Sequence, residues 1–422
     1  MISSTCQVAI IGAGPSGLSA AIRLKQLGAS SVVVIEREAQ AGGIPRHCGH
    51  SPFGMREFHR LLSGAKYASK LINQAKNLGV EICLNTSVTK CATGGLLTLS
   101  GPDGLLTLRA EKIILCTGNR ETPRSTRLVS GSRPMGIVTT GALQSTVYLK
   151  GRRPFKRPVI VGTELIAFSA LLTCRHANIK PVAMIESNNR VTICKAAVLL
   201  PRLMGIPLHL NASIESIHGK DRVEAIEIKN NADEVRLIDC DGIIFSGKFV
   251  SESSLIRASH LQLDSGSGGP LVDQYNRCSD PDYFACGNIL HPVDTAGWCW
   301  AEGRRVAGFV SAELHGQIPK THRHIKIECS CDEIKYFTPQ KIALAHKGNN
   351  TIASEKLTTG EKAPALQIRF NTYCKGQLSL SDENTRLCTK SIRVMPEKRH
   401  LLTLPDSGSI EKSEILSLKF NA

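Results

Sequence analysis

Apolar positions along this chain fall into two rhythms, short unbroken runs and runs at helical spacing, and they alternate. Val8–Ile11 is an apolar run followed by the glycine-rich Gly12–Gly17, and Ala20–Leu27 then carries helical spacing up to Gly28, a residue suited to a C-terminal cap. Val32–Ile35 completes a strand–helix–strand unit. Arg56–Gly79 predicts one long amphipathic helix with Phe58, Leu61, Leu62, Ala65 and Ile72 inside. Between Val80 and Thr107, Gly94-Gly95 and Pro102-Asp103-Gly104 divide short apolar stretches into a small β-meander. The rhythm restarts at Pro158–Gly162, with a helix over about Glu164–His176 and a strand over Pro181–Glu186. A β-rich stretch runs on to about Phe245. Residues 270–316 return to the first style, with a strand ending at Gly287-Asn288 and a helix over Ala301–Leu314. Thr321–Lys326 reads as a linker or basic edge. Beyond it, polar strands are punctuated by turn signals at Gly376 and Ser381-Asp382-Glu383.

The decisive local feature is Gly12-Ala13-Gly14-Pro15-Ser16-Gly17, a G-x-G-x-x-G loop between strand and helix. Gly12 permits the tight turn, Gly14 lets backbone approach a pyrophosphate, and Gly17 lets the helix pack against the strand. The helix N-terminus presents free N–H groups and the positive end of its dipole to the phosphates. Glu36 closes the second strand, where a carboxylate can accept hydrogen bonds from a ribose. Glycine loops alone are common. Strand, loop, helix, second strand and acid in register point to dinucleotide binding. The expected fold is therefore α/β, with two Rossmann-like three-layer domains, the second inserted in the first, and a small C-terminal β domain. The expected boundaries are 1–125 for the first part of the leading domain, 126–250 for the inserted one, 251–318 for the return and 319–422 for the β domain.

Three further segments widen the pattern: Gln40-Ala41-Gly42-Gly43, Ile113-Ile114-Leu115-Cys116-Thr117-Gly118, and Asp282-Tyr283-Phe284-Ala285-Cys286-Gly287-Asn288. With the glycine loop they resemble the FAD domain of the pyridine nucleotide–disulfide oxidoreductase superfamily over residues 1 to about 316. The resemblance implies FAD as cofactor, held by the loop residues together with Glu36, Arg37, Gly43, Thr117, Gly118, Gly287 and Asn288. Asn288 stands where the superfamily usually has an Asp bonded to the ribityl chain, and an amide can still pair there. Gly43–His50, Gly162–Leu165 and Gly287–Pro292 look like the A-subunit-type flavoproteins of opine oxidase, hydrogen cyanide synthase and proline or hydroxyproline dehydrogenase complexes. That implies oxidation of an amine, amino acid or opine, and partners in the form of a second flavoprotein subunit with a small iron–sulfur subunit. The alternatives are an NAD(P)H-dependent flavin reductase and a non-catalytic nucleotide-holding subunit. NAD(P) at the second unit is doubtful, because Glu164 brings bulk and negative charge where a glycine would let a pyrophosphate approach, although Glu186 still suits a ribose.

Candidate reacting groups are His47, Cys48, His50, His291 and Trp298, with Asp294 and Glu302 beside them. Each reads equally well as a pocket-wall or helix-start residue. Cys48 between histidines would be an activated thiol if a neighbouring imidazolium lowered its pKa. No second cysteine stands at a redox-dithiol spacing, so the expected enzyme is of dehydrogenase or oxidase type and not a disulfide reductase. Cys329-Ser330-Cys331 offers half of a cluster site without well-spaced partners among Cys374 and Cys388, and no metal is expected.

Composition narrows the picture little. The 422 residues are 42% hydrophobic and 21% charged, with fifteen scattered cysteines, which suits buried thiols in a reducing compartment. A net charge of +16 with only 5% aromatic residues and no aromatic-interleaved basic stripe argues against nucleic acid. It leaves FAD phosphates, anionic lipid or an acidic protein as uses for the field. No apolar run reaches the ~18 residues of a membrane span. Met1–Gln7 lacks the basic and apolar regions of a leader, so a cytoplasmic location is expected.

Overall fold

The computed structural model describes residues 4–193, 195–345, 365–382, 385–396, 398–405 and 407–422. β1 (Thr5–Ile11), α1 (Pro15–Gln26) and β2 (Val32–Ile35) form the first strand–helix–strand unit. They are followed by α2 (Met55–Phe58), α3 (Gly64–Asn77) and β3 (Glu81–Cys83), then β4 (Ser87–Ala92), β5 (Leu96–Gly101) and β6 (Gly104–Leu115). The strand order is β3-β2-β1-β6-β5-β4, parallel as far as β6 and antiparallel beyond it. β1 and β2 are buried on both faces, as strands covered by helices on one side and further chain on the other must be.

β7 (Asn119–Glu121) leads out of this sheet. The second sheet contains β8 (Ile137–Thr139), α4 (Thr140–Gln144), β9 (Pro158–Val161), α5 (Leu165–His176), β10 (Ala183–Ile185), α6 (Leu199–Leu203) and β11 (Leu208–His209). An antiparallel sheet of β12 (Ala212–His218), β13 (Ala225–Asn230) and β14 (Val235–Asp239) follows, before β15 (Gly242–Phe245) returns to the parallel sheet. The parallel order is β11-β10-β9-β15-β8. α5 packs on one face through Phe168 and Leu171, and the antiparallel sheet packs on the other through Ile217 and Ile226, giving three layers.

β16 (Phe249–Ser251) pairs antiparallel with β7, so the chain leaves the first sheet and returns to it side by side. α7 (Ser254–Arg257) and β17 (Tyr283–Ala285) follow, with β17 parallel to β6. α8 (Ala296–Leu314) then lies against α1 so closely that a Cβ on Gly303 would stand 2.2 Å from the Ser16 carbonyl oxygen. The rest is β: β18 (Thr321–Cys329), β19 (Ile334–Thr338), β20 (Lys341–Ala345), β21 (Ala365–Phe370), β22 (Cys374–Ser381), β23 (Arg386–Val394), β24 (His400–Thr403) and β25 (Ile415–Asn421), with the short α9 (Ser407–Ile410). Two sheets, β20-β18-β25-β22-β23 and β19-β21-β24, enclose a core that includes Ile342, Leu366 and Leu418.

Four expectations are corrected. The long helix over Arg56–Gly79 is broken, because Phe53 and Leu62 exchange backbone hydrogen bonds of 3.0 and 2.9 Å and His59 turns at φ 49°. The inward face of α3 is then Tyr67, Ala68, Leu71 and Ala75, and Leu61 is exposed. α8 begins at Ala296, five residues before the expected Ala301, which places Trp298 on the helix. Thr321–Lys326 is no linker but the start of β18. Gly376 lies inside β22, where a Cβ would come within 2.1 Å of the Asn421 carbonyl oxygen, so it serves close strand approach and not a turn. Glu383 lies outside the described residues. Among the described residues no helix is long and apolar enough to cross a membrane.

Candidate functional site

A cavity of ≈ 2040 Å³ opens where β1, β2 and β6 end and continues past the ends of β9 and β10. Ligand pockets usually hold ~300–1,000 Å³, so this one has room for a dinucleotide and a second ligand together. Gly12, Gly14, Pro15, Ser16, Glu36, Arg37, Gly43, Thr117, Gly118 and Asn288 of the expected set line it. Ala13, Gly17 and Gly287 are not in that lining but touch it, Ala13 through its N–H to Glu36 and Gly287 so closely that a Cβ there would stand 2.5 Å from Ser16 Oγ. Gly12 turns at φ +108°, and a Cβ there would stand 2.4 Å from the Cys116 carbonyl oxygen. A Cβ on Gly17 would stand 2.0 Å from the Gly12 carbonyl oxygen, so helix and turn touch directly.

Gly14 differs. A Cβ built there meets nothing within 4 Å, although Gly14 lines the cavity, so the space above it is open for a ligand. Gly14 caps α1 without any side-chain bond, which leaves first-turn N–H groups for phosphate oxygens. Glu36 is fixed by Ala13 N, which donates to its Oε2 at 2.9 Å, and by Glu38 N, which donates to its Oε1 at 3.0 Å. No side chain donates to it among these bonds, and the carboxylate keeps acceptor capacity toward the cavity. The start of α8 reaches the same cavity: Asp294, Thr295, Ala296 and Gly297 line it, and Thr295 makes no side-chain cap bond. Two helix N-termini therefore converge on one space, which suits a ligand carrying two negative phosphates. These features fit FAD, with Gly14, Ser16 and the α1 N-terminus for its pyrophosphate and Glu36 for its adenosine ribose.

The second strand–helix–strand unit repeats the plan but fills it. Glu164, which caps α5, lines the cavity and accepts from Lys248 N at 2.9 Å. Its carboxylate lies so close to Gly247 that a Cβ there would stand 2.3 Å from Glu164 Cδ. Glu186 is buried; the Thr163 hydroxyl donates to its Oε2, and Asn188 N and Nδ2 donate to its Oε1 at 3.0 and 2.7 Å. Three donors of its own neighbours thus engage Glu186, which does not line the cavity.

The candidate reacting groups separate. His47 and His50 line the cavity, and burial lowers both imidazole pKa values, with the Arg46 charge adding to the effect at His47. His50 Nε2 lies 2.5 Å from Ser169 Oγ. Cys48 also lines it, but burial pushes its thiol up to about 12, the reverse of activation. His291 is away from the cavity, in a buried cluster around Glu302. There Gly287 N, His291 Nε2, Arg305 Nη2 and Gln367 Nε2 approach the carboxylate at 2.7, 3.2, 3.0 and 3.2 Å. Burial pushes the Glu302 carboxyl up, but His291 and Arg305 outweigh it and hold it below the usual range. Trp298 lies between two guanidinium groups, Arg56 and Arg399, each 3.8 Å from the ring centroid, a spacing two stacked cations share only on opposite faces.

Sequence reasoning missed the β domain's part in the site. Arg369 and Arg399 both pair with buried Asp294, at 2.7 and 3.1 Å, and Arg399 donates to Gln367 Oε1 at 2.6 Å. Asn288 joins the same knot: its Nδ2 donates to the Asp294 carbonyl and its Oδ1 accepts from Asp294 N, both at 3.0 Å. The one sequence signal is β21, where Gln367 and Arg369 alternate with apolar residues yet are themselves buried.

The model of the family described as pyridine nucleotide-disulphide oxidoreductase matches residues 6–309. The chain is 25% identical over 284 residues to ferredoxin–NADP reductase of Picrophilus torridus, covering 66% of this chain and 84% of that protein. It is 22% identical over 267 residues to the opine oxidase A-subunit of Rhizobium meliloti, covering 61% of this chain and 56% of that protein. In fold it is similar to thioredoxin reductase of T. acidophilum, with TM-score 0.64 and 23% identity over 74% of this chain and all of that one. It is also similar to L-proline dehydrogenase of P. horikoshii, with TM-score 0.57 and 19% identity over 75% of this chain and 57% of that one. These reductase relatives overturn the expectation of a dehydrogenase or oxidase type that excludes disulfide reduction, which had rested on cysteine spacing alone. FAD is the cofactor. The chain belongs to the pyridine nucleotide-disulphide oxidoreductase family.

Proposed function

We propose that this protein moves electrons between a small amine, amino acid or opine bound in the cavity and a partner flavoprotein or iron–sulfur protein. The observation that carries this reading is the cavity itself, which is larger than one dinucleotide needs and is walled on one side by the β domain through Lys335, Arg369 and Tyr373. The fold shared with an L-proline dehydrogenase and the similarity to part of an opine oxidase support it. FAD, when bound, supplies two-electron chemistry. The chain's own residues then bind and orient: Glu36 and the α1 N-terminus fix one end, and the knot of Asn288, Asp294 and Arg369 fixes the other wall. His47 and His50, lowered in pKa by burial, stay neutral near pH 7 and suit accepting a proton from a substrate ammonium.

A second reading, an NAD(P)H-dependent reductase, is favoured by the ferredoxin–NADP reductase match and by the complete second strand–helix–strand unit. Glu164 weighs against it, because like charges ~4 Å apart repel by ~1 kcal/mol in water and ~4 kcal/mol at an effective dielectric near 20. Anaerobic mixing of the oxidised flavoprotein with a panel of amines and opines, and separately with NADH and NADPH, decides between them. Bleaching by a panel member and slow, unsaturating bleaching by the nicotinamides is the expected result. Rapid saturable reduction by NADH or NADPH puts the reductase reading first, with disulfides and ferredoxin as the acceptors to try next.

A further inference from the structure

Part of the positive charge is concentrated at one edge of the second parallel sheet. Lys150, Arg152, Arg153, Lys156 and Arg157 fall within one exposed loop leading into β9. Phe155 anchors that loop from within, buried at 4% exposure and packed so that a Cβ on Gly242 would stand 2.4 Å from its ring. Asp241 fixes it from outside, accepting from Lys156 N at 2.7 Å and Arg157 N at 2.6 Å. Neighbouring segments add charge to the same edge. Lys180 N donates to Lys156 O at 2.8 Å, and Arg222 Nη2 donates to Pro154 O at 2.7 Å. Met135 bridges to Arg222, and both Met135 and Leu149 are exposed, at 64% and 43%. Asp241 and Asp221 are the carboxylates adjoining in sequence or by hydrogen bond, and Asp241 is spent on backbone amides.

We infer that this edge docks the protein on an anionic lipid surface. A rigid loop of outward cations flanked by exposed apolar side chains matches what binds acidic headgroups while seating apolar groups at the interface. The edge lies at the starts of β9, β10 and β15, and the cavity lies past their far ends. An electron-carrying protein docked here would be separated from the cofactor by the length of the sheet, so an acidic redox partner fits it poorly. Nucleic acid fits poorly too, because the loop's one aromatic ring is buried.

The test sediments the full FAD-loaded chain with vesicles of phosphatidylcholine alone and of phosphatidylcholine with phosphatidylserine, at low and high salt. Binding to the anionic vesicles only, reversed by salt, is expected. Replacing Lys150, Arg152, Lys156 and Lys180 together by Gln should weaken it by ~fivefold per cation, more than about hundredfold in all. These side chains make none of the bonds that hold the loop, and retained flavin absorbance confirms the fold. A control with Lys66, Lys76 and Lys90 changed to Gln should bind like the parent. Equal binding to neutral vesicles, equal loss in the control, or no vesicle binding by the parent overturns the inference. So does duplex DNA binding through the same loop without vesicle binding.

Discussion

A side chain placed on Gly14 meets no protein atom within 4 Å, so Gly14→Leu should leave thermal unfolding of the apoprotein unchanged while abolishing FAD retention. Paired scans of the apo and reconstituted variant check it, and a yellow Gly14→Leu protein would sink the assignment of the pyrophosphate seat. Cys48 makes the opposite kind of case. Its thiol, pushed up to about 12 by burial, is almost wholly protonated at pH 8, and labelling should rise only as pH approaches that value. A thiol reagent at pH 8 is therefore expected to label half-exposed Cys374 well before Cys48, read by peptide mass mapping. Asn288 is bonded at both ends to the Asp294 backbone. Asn288→Leu should weaken FAD binding by about 1–3 kcal/mol through those lost bonds, measured by flavin titration of the apoprotein. At this scale the glycine loop was legible because contact distances at Gly12 and Gly17 admit no other residue. The commitments of Glu186 and Asn288 were not, since they depend on which neighbour turns toward them.

Among the elements, α8 does most to join cofactor loop and body, through Glu302. Its carboxylate holds Gly287 N, His291, Arg305 and Gln367 at once. Glu302→Gln leaves the surrounding cations uncompensated and should cost about 3–5 kcal/mol of stability at pH 7, read by chemical denaturation. The wild-type carboxyl is depressed in the folded state. Its contribution is therefore complete above the ordinary carboxylate pKa of ~4.3 and is lost as pH falls toward its lower folded value. The difference between variant and parent should shrink only below about pH 4. A constant gap down to pH 2 would contradict this. Most elements were legible from apolar rhythm, β2, β9 and α5 nearly to the residue, whereas β1 starts three residues before the expected Val8. The break between α2 and α3 was hidden, because a backbone exchange between Phe53 and Leu62 overrides a continuous helical pattern.

At the scale of the whole molecule, the β domain walls part of the cavity through Lys335, Arg369 and Tyr373. Arg369 and Arg399 hold Asp294 from across the domain boundary. Changing both to Met leaves a buried carboxylate without its cations and should speed FAD release by at least ~tenfold, followed by the recovery of flavin fluorescence on dilution. An unchanged release rate would mean the β domain folds beside the site without acting on it. Beyond the polar alternation of Gln367 and Arg369 in β21, little of this was readable locally. Arg369 stands in β21 and Arg399 just before β24, and the acid they serve is 75 and 105 residues away.

The stacked ring at that joint has an optical consequence. The chain contains two tryptophans, Trp298 and Trp300, and both sit in the opening turns of α8. The indole emission of all 422 residues therefore arises from two neighbouring positions, Trp300 packed against the first domain's core and Trp298 at the seam with the β domain, with guanidinium groups on both faces of Trp298. A simple emission spectrum, without label or mutation, watches that seam open.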